Sequence, residues 1–198
     1  MSTNDAAMPA TAARADAPGT AGLKPQGFSQ RLRIETRDEH ERVDAAFGSF
    51  DLADPADYGA FLLAHARVLP GLEQTLRPGE LLPHWHPRAD SLRADLAALA
   101  LAAPEPLPID LPSTTGARWG AVYVLEGSRL GGAVLARRTG AGLPRAYLLS
   151  GHAPGGWQDV TRRLDELSPR DRPDALMGAR AAFALFARAG GASAPQRP

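Results

Sequence analysis

Trp119 to Arg138 reads WGAVYVLEGSRLGGAVLARR. Its length and apolar content predict a helix, yet it carries four glycines: Gly120, Gly127, Gly131 and Gly132. Each glycine inside a helix costs about 0.5–1 kcal/mol relative to alanine, because its backbone has more freedom to lose. A chain that accepts that cost repeatedly needs bare backbone at those positions. Another helix crosses closely, a flat ligand lies against the strip, or the helix bends. Gly127 and Gly131 are four apart and share one face. Both a crossing and a ligand wall remain open on this pattern alone.

The stretches around it are helical too. Ser29 is placed to cap a first helix through about Phe47, with Leu32, Thr36, His40, Val43 and Phe47 at steps of three and four. Asp54-Pro55-Ala56-Asp57 is a helix start, with a capping Asp, Pro at the first position and an acid in the first turn. That helix carries Tyr58, Phe61, Leu62 and His65 and meets a break at Pro70-Gly71. Residues 87–102 and 157–167 predict two more helices. Ser113 or Thr114 starts the glycine-bearing one. Asp171-Arg172-Pro173 opens the last, which should stop at Gly190-Gly191. No period-two strand pattern appears, so the expected fold class is all-α.

Residues 1–26 are rich in Ala, Thr, Asp, Gly and Pro with almost no large apolar groups, and predict a disordered N-terminal tail. Residues 27–190 form the expected helical domain and 191–198 a second disordered tail. The chain has 198 residues, no cysteine, and 22 basic against 22 acidic side chains. Disulfides, thiolate metal sites and a cysteine nucleophile are excluded. The balanced charge does not favour nucleic acid or an acidic membrane as partner. No apolar run reaches a membrane span, and no secretory signal is visible, so a cytoplasmic location is expected.

Among five histidines, His40 stands out. Arg33 lies two turns before it, and Asp44 one turn after, within reach of the imidazole. A carboxylate beside a histidine fixes its tautomer and strengthens it as a metal ligand. A core histidine or an exposed His–Asp pair would look the same in sequence. His84 and His86 are two apart between prolines and read as surface; His65 reads as packed, and His152 lies in a glycine loop. No phosphate loop, zinc spacing or nucleophile elbow is present.

RLRIETRDEHERVD, residues 31–44, resembles the first helix of heme oxygenases, whose histidine is the proximal iron ligand. YVLEGSRLGGAVLARR, residues 123–138, resembles their distal helix, particularly the bacterial branch found alongside bacteriophytochromes. The resemblance spans about residues 28–189. It implies a multi-helix bundle with heme between the two helices. His40 would be the axial ligand, and Asp44 would stand where an acid, usually Glu, holds that histidine. Gly127, Ser128 and Gly131 would form the catalytic distal wall. Ser128 would stand where animal enzymes carry an aspartate that bacterial relatives also lack. Arg33 and Arg138 would meet the heme propionates, Arg163 would match a further propionate contact, and Tyr123 an aromatic at the pocket edge. The implied reaction consumes heme, dioxygen and electrons from a ferredoxin, a flavoprotein reductase or ascorbate. Its products would be biliverdin, carbon monoxide and ferrous iron, with a bacteriophytochrome as a plausible receiver of the bilin. A heme carrier or sensor on the same fold, and a di-iron oxidase drawing on His40, Asp44, Glu73 or Glu126, are the alternatives.

Overall fold

A computed structural model describes residues 27–194; the expected N-terminal tail, 1–26, and residues 195–198 lie outside the described residues. Among the described residues all regular structure is helical. In chain order the helices are α1 (Phe28–Glu35), α2 (Arg37–Gly48), α3 (Pro55–Ala66), α4 (Leu69–Leu76), α5 (Ala89–Ala98), α6 (Thr115–Arg138), α7 (Ala146–Leu149), α8 (Gly156–Asp165) and α9 (Arg172–Ser193). A 3-10 turn, Pro78–Glu80, follows α4.

The long helices α6 and α9 form the central crossing. A Cβ on Gly120 would lie 1.8 Å from the Ala175 carbonyl oxygen, and one on Gly178 would lie 2.0 Å from that of Ala117. Only glycine lets the two backbones approach this closely. Beyond the crossing α9 runs on to α2. There Arg180 Nε pairs with Glu39 at 3.1 Å, and Phe183 meets the His40 ring edge-on at 5.8 Å. Near the end of α9 a Cβ on Gly190 would lie 2.9 Å from the Phe47 ring. That close approach explains why α9 does not stop at Gly190-Gly191 as expected and continues to Ser193. Both α2 and α6 therefore rest on α9, and neither packs broadly on the other.

The first predicted helix is split in two at Thr36. Its buried hydroxyl donates back to the Leu32 carbonyl at 2.8 Å, a bond that bends helices. Ser29 is not the cap of α1. Its backbone N–H instead donates to Asp165 of α8 at 2.7 Å. Asp54 caps α3 as expected, accepting from the Ala56 and Asp57 amides, and Thr114 caps α6 through Ala117. Under α2, α3 and α9 lies an aromatic floor: His65 sits between Phe47 and Phe61 at ring distances of 4.5 and 4.4 Å, with Tyr147 and Phe186 beyond.

Candidate active site

The glycines of α6 do two different things. Gly120 closes on α9, and a Cβ on Gly132 would lie 2.3 Å from the Leu148 carbonyl oxygen. These are crossing glycines. Gly131 has nothing within 4 Å of its Cβ position, and Gly127 meets only the Trp157 ring at 3.6 Å. Helical spacing places Gly127 and Gly131 seven and eleven residues after Gly120, on the side of α6 that closed on α9. That side is uncovered once α9 has left for α2. Leu130 and Val134 extend the same stripe, and both are exposed.

Across α9, α2 presents His40. Its side chain is 57% exposed, and its Nδ1 lies 3.0 Å from Asp44 Oδ2. A carboxylate accepts, so Nδ1 carries the proton and the Nε2 lone pair is left for another partner. The Asp44 hydrogen bond outweighs partial burial and raises the imidazole above its ordinary value; Arg33 opposes it. Arg33 is on α1, exposed, and its charge also reaches Tyr123 of α6, whose phenol burial pushes up. Arg33 thus lies within electrostatic reach of both His40 and Tyr123 even though the helix breaks between it and His40.

Tyr123 packs against Trp157 at 5.5 Å and is nearly buried. Arg138 is the last residue of α6 and exposed, while Arg163 on α8 is already paired with Glu166 at 3.2 Å. Ser128 is more committed than its sequence position implies. Its hydroxyl donates to the Leu125 carbonyl at 2.7 Å and accepts from Arg88 Nη2 at 2.8 Å. Its one proton is therefore spent on the helix.

Of the polar groups packed around α6, Glu73 and Glu126 enter the sequence reading only as di-iron candidates, and Arg88, Arg129 and Trp85 do not enter it. Arg88 is buried, bonds Leu125 and Ser128, lies over the Tyr147 ring, and keeps one buried donor, Nε, without an acceptor. Glu73 holds the backbone amides of Arg88 and Ala89, and its burial raises its carboxyl. Arg129 and Glu126 form a buried pair at 2.8 Å, joined by Trp85 Nε1 at 2.8 Å. Glu126 and Arg129 are one turn apart on α6, but Glu73 of α4 and Trp85 and Arg88 of the loop before α5 are too far from them in sequence for spacing to connect. His84 and His86 are exposed, as expected.

The chain is similar to a heme oxygenase of Xanthomonas campestris pv. campestris (strain 8004), 34% identical over 149 residues, 67% of this chain and 88% of that protein. It is also similar to heme oxygenase PigA of Pseudomonas aeruginosa, 30% identical over 178 residues, 80% of this chain and 88% of that protein. This chain belongs to the heme oxygenase family. It is an enzyme of that class. No family model matches. The fold is shared with a heme oxygenase from Neisseria meningitidis solved with NO and CO bound, at a TM-score of 0.71 and 23% identity over 85% of this chain and 92% of that one.

Among the described residues no group of three or more His, Cys, Asp and Glu side chains is placed to hold a metal ion. Glu73 and Glu126 are engaged by backbone amides and by Arg129, so the di-iron alternative finds no ligand set. One histidine with a free ring nitrogen on α2, and a bare apolar stripe on α6, fit a metalloporphyrin better than a naked ion. No helix is long and apolar enough to cross a membrane among the described residues.

Proposed function

We propose that the chain binds heme in the opening between α2 and α6, with His40 as axial ligand, and cleaves it to biliverdin, carbon monoxide and ferrous iron. The observation that carries this reading is the uncovered stripe of Leu130, Gly131 and Val134, continuous with Gly127 and resting on the same supporting helix, α9, as an exposed imidazole whose Nε2 is free. Once bound, heme supplies an iron that activates dioxygen and a ring that is itself the oxidised substrate.

The protein's own residues do the rest. Asp44 holds the His40 Nδ1–H, which fixes the tautomer and aims Nε2. Gly131 admits the ring face to the backbone, and Leu130 and Val134 remove apolar ring surface from water. No histidine, tyrosine or cysteine stands on that stripe, so no side chain there would compete with dioxygen for bound iron. Arg33 and Arg138, which have no ion-pair partner among the described residues, are the cations for the two propionates. Arg163 would have to leave Glu166 to join them. Arg88 holds Ser128 and retains a buried Nε–H, a donor for a bound water on the oxygen side. The electrons come from an external donor, a ferredoxin, a flavoprotein reductase or ascorbate, and a bacteriophytochrome is a candidate receiver of the bilin.

Hemin titrated into the protein should give a Soret band of a histidine-ligated complex. Ascorbate and air should then bleach that band and yield a bilin that chromatography identifies as biliverdin. In His40→Ala the ligated band should be lost or displaced. An unchanged spectrum in that variant would remove His40 from the site. Hemin that binds without being degraded would leave a carrier.

A further inference from the structure

The loop between α7 and α8, residues 150–155, contains two glycines and a proline, and Gly155 has φ of +76°. Such a loop has little hold of its own. It is nevertheless fastened to the middle of α6 from both sides. Arg129 Nη1 donates to the Ser150 and Gly151 carbonyls at 3.1 Å each. In return, His152 Nε2 lies 2.9 Å from the Glu126 carbonyl oxygen. A carbonyl only accepts, so Nε2 carries the proton.

That carbonyl has a particular place in the helix. In a regular helix it serves the N–H of Leu130, in the middle of the uncovered stripe. A side chain that joins the ladder is one of the few causes of a helix bend. Glu126 is immobile otherwise: Arg129 and Trp85 hold its Oε1, and its Oε2 faces His152 at 3.8 Å. The His152 ring is also 6.1 Å from Trp157, whose ring lies on Gly127 and on Tyr123. One imidazole therefore touches the carbonyl just before Gly127 and the ring that covers Gly127.

We propose that His152 is a positioning residue for the oxygen side of the slot: through the Glu126 carbonyl and Trp157 it sets how α6 is seated from Gly127 to Gly131. This rests on the heme reading above. The charged groups facing the ring are Glu126, Arg129 and Arg88. Burial, the largest influence, holds the imidazole below its ordinary value, which keeps it a neutral donor.

Three proteins test this: the wild type, His152→Leu, and His152→Gln, whose amide reaches where Nε2 stood. Hydrogen exchange of the heme-free proteins reads α6 directly. His152→Leu should exchange faster across residues 126–132, and His152→Gln should restore most of the protection. With hemin, reductant and air, His152→Leu should turn over at least about tenfold more slowly, the scale that small misplacement costs, or release a broader set of biliverdin isomers. His152→Gln should restore the wild-type rate and product pattern. Unchanged exchange and unchanged products in His152→Leu overturn the proposal. So does an equal loss in both variants, because the hydrogen bond would then not be the cause. If His152→Leu does not fold, His152→Asn, too short to reach the carbonyl, takes its place in the same comparison. A wild type that does not degrade hemin overturns the underlying reading, and is seen before any variant is made.

Discussion

His65 has the most altered environment of the described histidines. Its Nδ1–H donates to the Phe61 carbonyl at 2.9 Å, and aromatic rings surround the rest. Burial pushes its pKa down to about 4 from an ordinary 6.5. In the unfolded chain the same imidazole takes up a proton near pH 6.5. As pH falls from there toward 4, the unfolded state binds a proton that the folded state refuses, so stability drops with acid and is complete above the unfolded value. The loss amounts to about 2 kcal/mol at pH 5, at about 1.4 kcal/mol per pH unit of displacement. Denaturant melts at about pH 7 and pH 5 check it: His65→Leu should lose less stability than wild type over that interval, by about 2 kcal/mol. The other titrating groups are common to both proteins and cancel in the difference. Equal losses would show that His65 is not held neutral in the fold.

Helix α6 combines two demands that its sequence states in one letter. Gly120→Ala and Gly178→Ala place a methyl group within 2.0 Å of a backbone oxygen on the partner helix. No side chain there can yield, so each should cost about 3 kcal/mol or more, the upper range of overpacking. Gly131→Ala meets nothing and should gain up to about 1 kcal/mol of helix propensity. If its bare face receives the porphyrin, the same change should slow hemin degradation. Thermal melts of the heme-free proteins, set beside hemin turnover, separate the two kinds of glycine. A Gly131→Ala variant with wild-type turnover would free that position of any part in the slot. The same helix shows what could be read in advance. Its length, its Thr114 cap and its excess of glycine were legible locally. Which glycine touches what was not, because α9 and α7 supply the contacts. The other helix starts make the same point. Asp54 caps α3 from its own sequence. By contrast α1, α5 and α7 are capped by Asp165, Glu73 and Asp95 from other helices. Arg88 goes unread in the sequence and His152 reads only as a loop residue for this reason: each acts across the fold on a helix remote in sequence.

At the scale of the whole molecule, α9 holds α6 around Ala175 and Gly178 and α2 from Arg180 to Gly190, while α2 and α6 lack broad contact with each other. On the reading proposed above, a ligand held by both would join two elements the fold leaves apart. A second apolar groove competes for it, about 440 Å³ between α3 and the segment after α5, lined by Gly59, Leu63, Leu99 and Leu101. No imidazole lines that groove. Ligand binding stabilises only the folded state, by about 2.7 kcal/mol at a hundred times the Kd, which for a chain of this size raises the melting temperature by roughly 5–10 °C. Where the protection falls discriminates between the two locations. Hydrogen exchange with and without hemin should slow in α2 around His40 and in α6 from Tyr123 to Val134, the segments that gain a partner. Helices α3 and α5, already packed on each other, should change little. Protection confined to Pro55–Ala66 and the stretch around Leu99 would put hemin in the other groove. The imidazole of His40 would then have no part in holding it, and His40→Ala would leave the stabilisation intact.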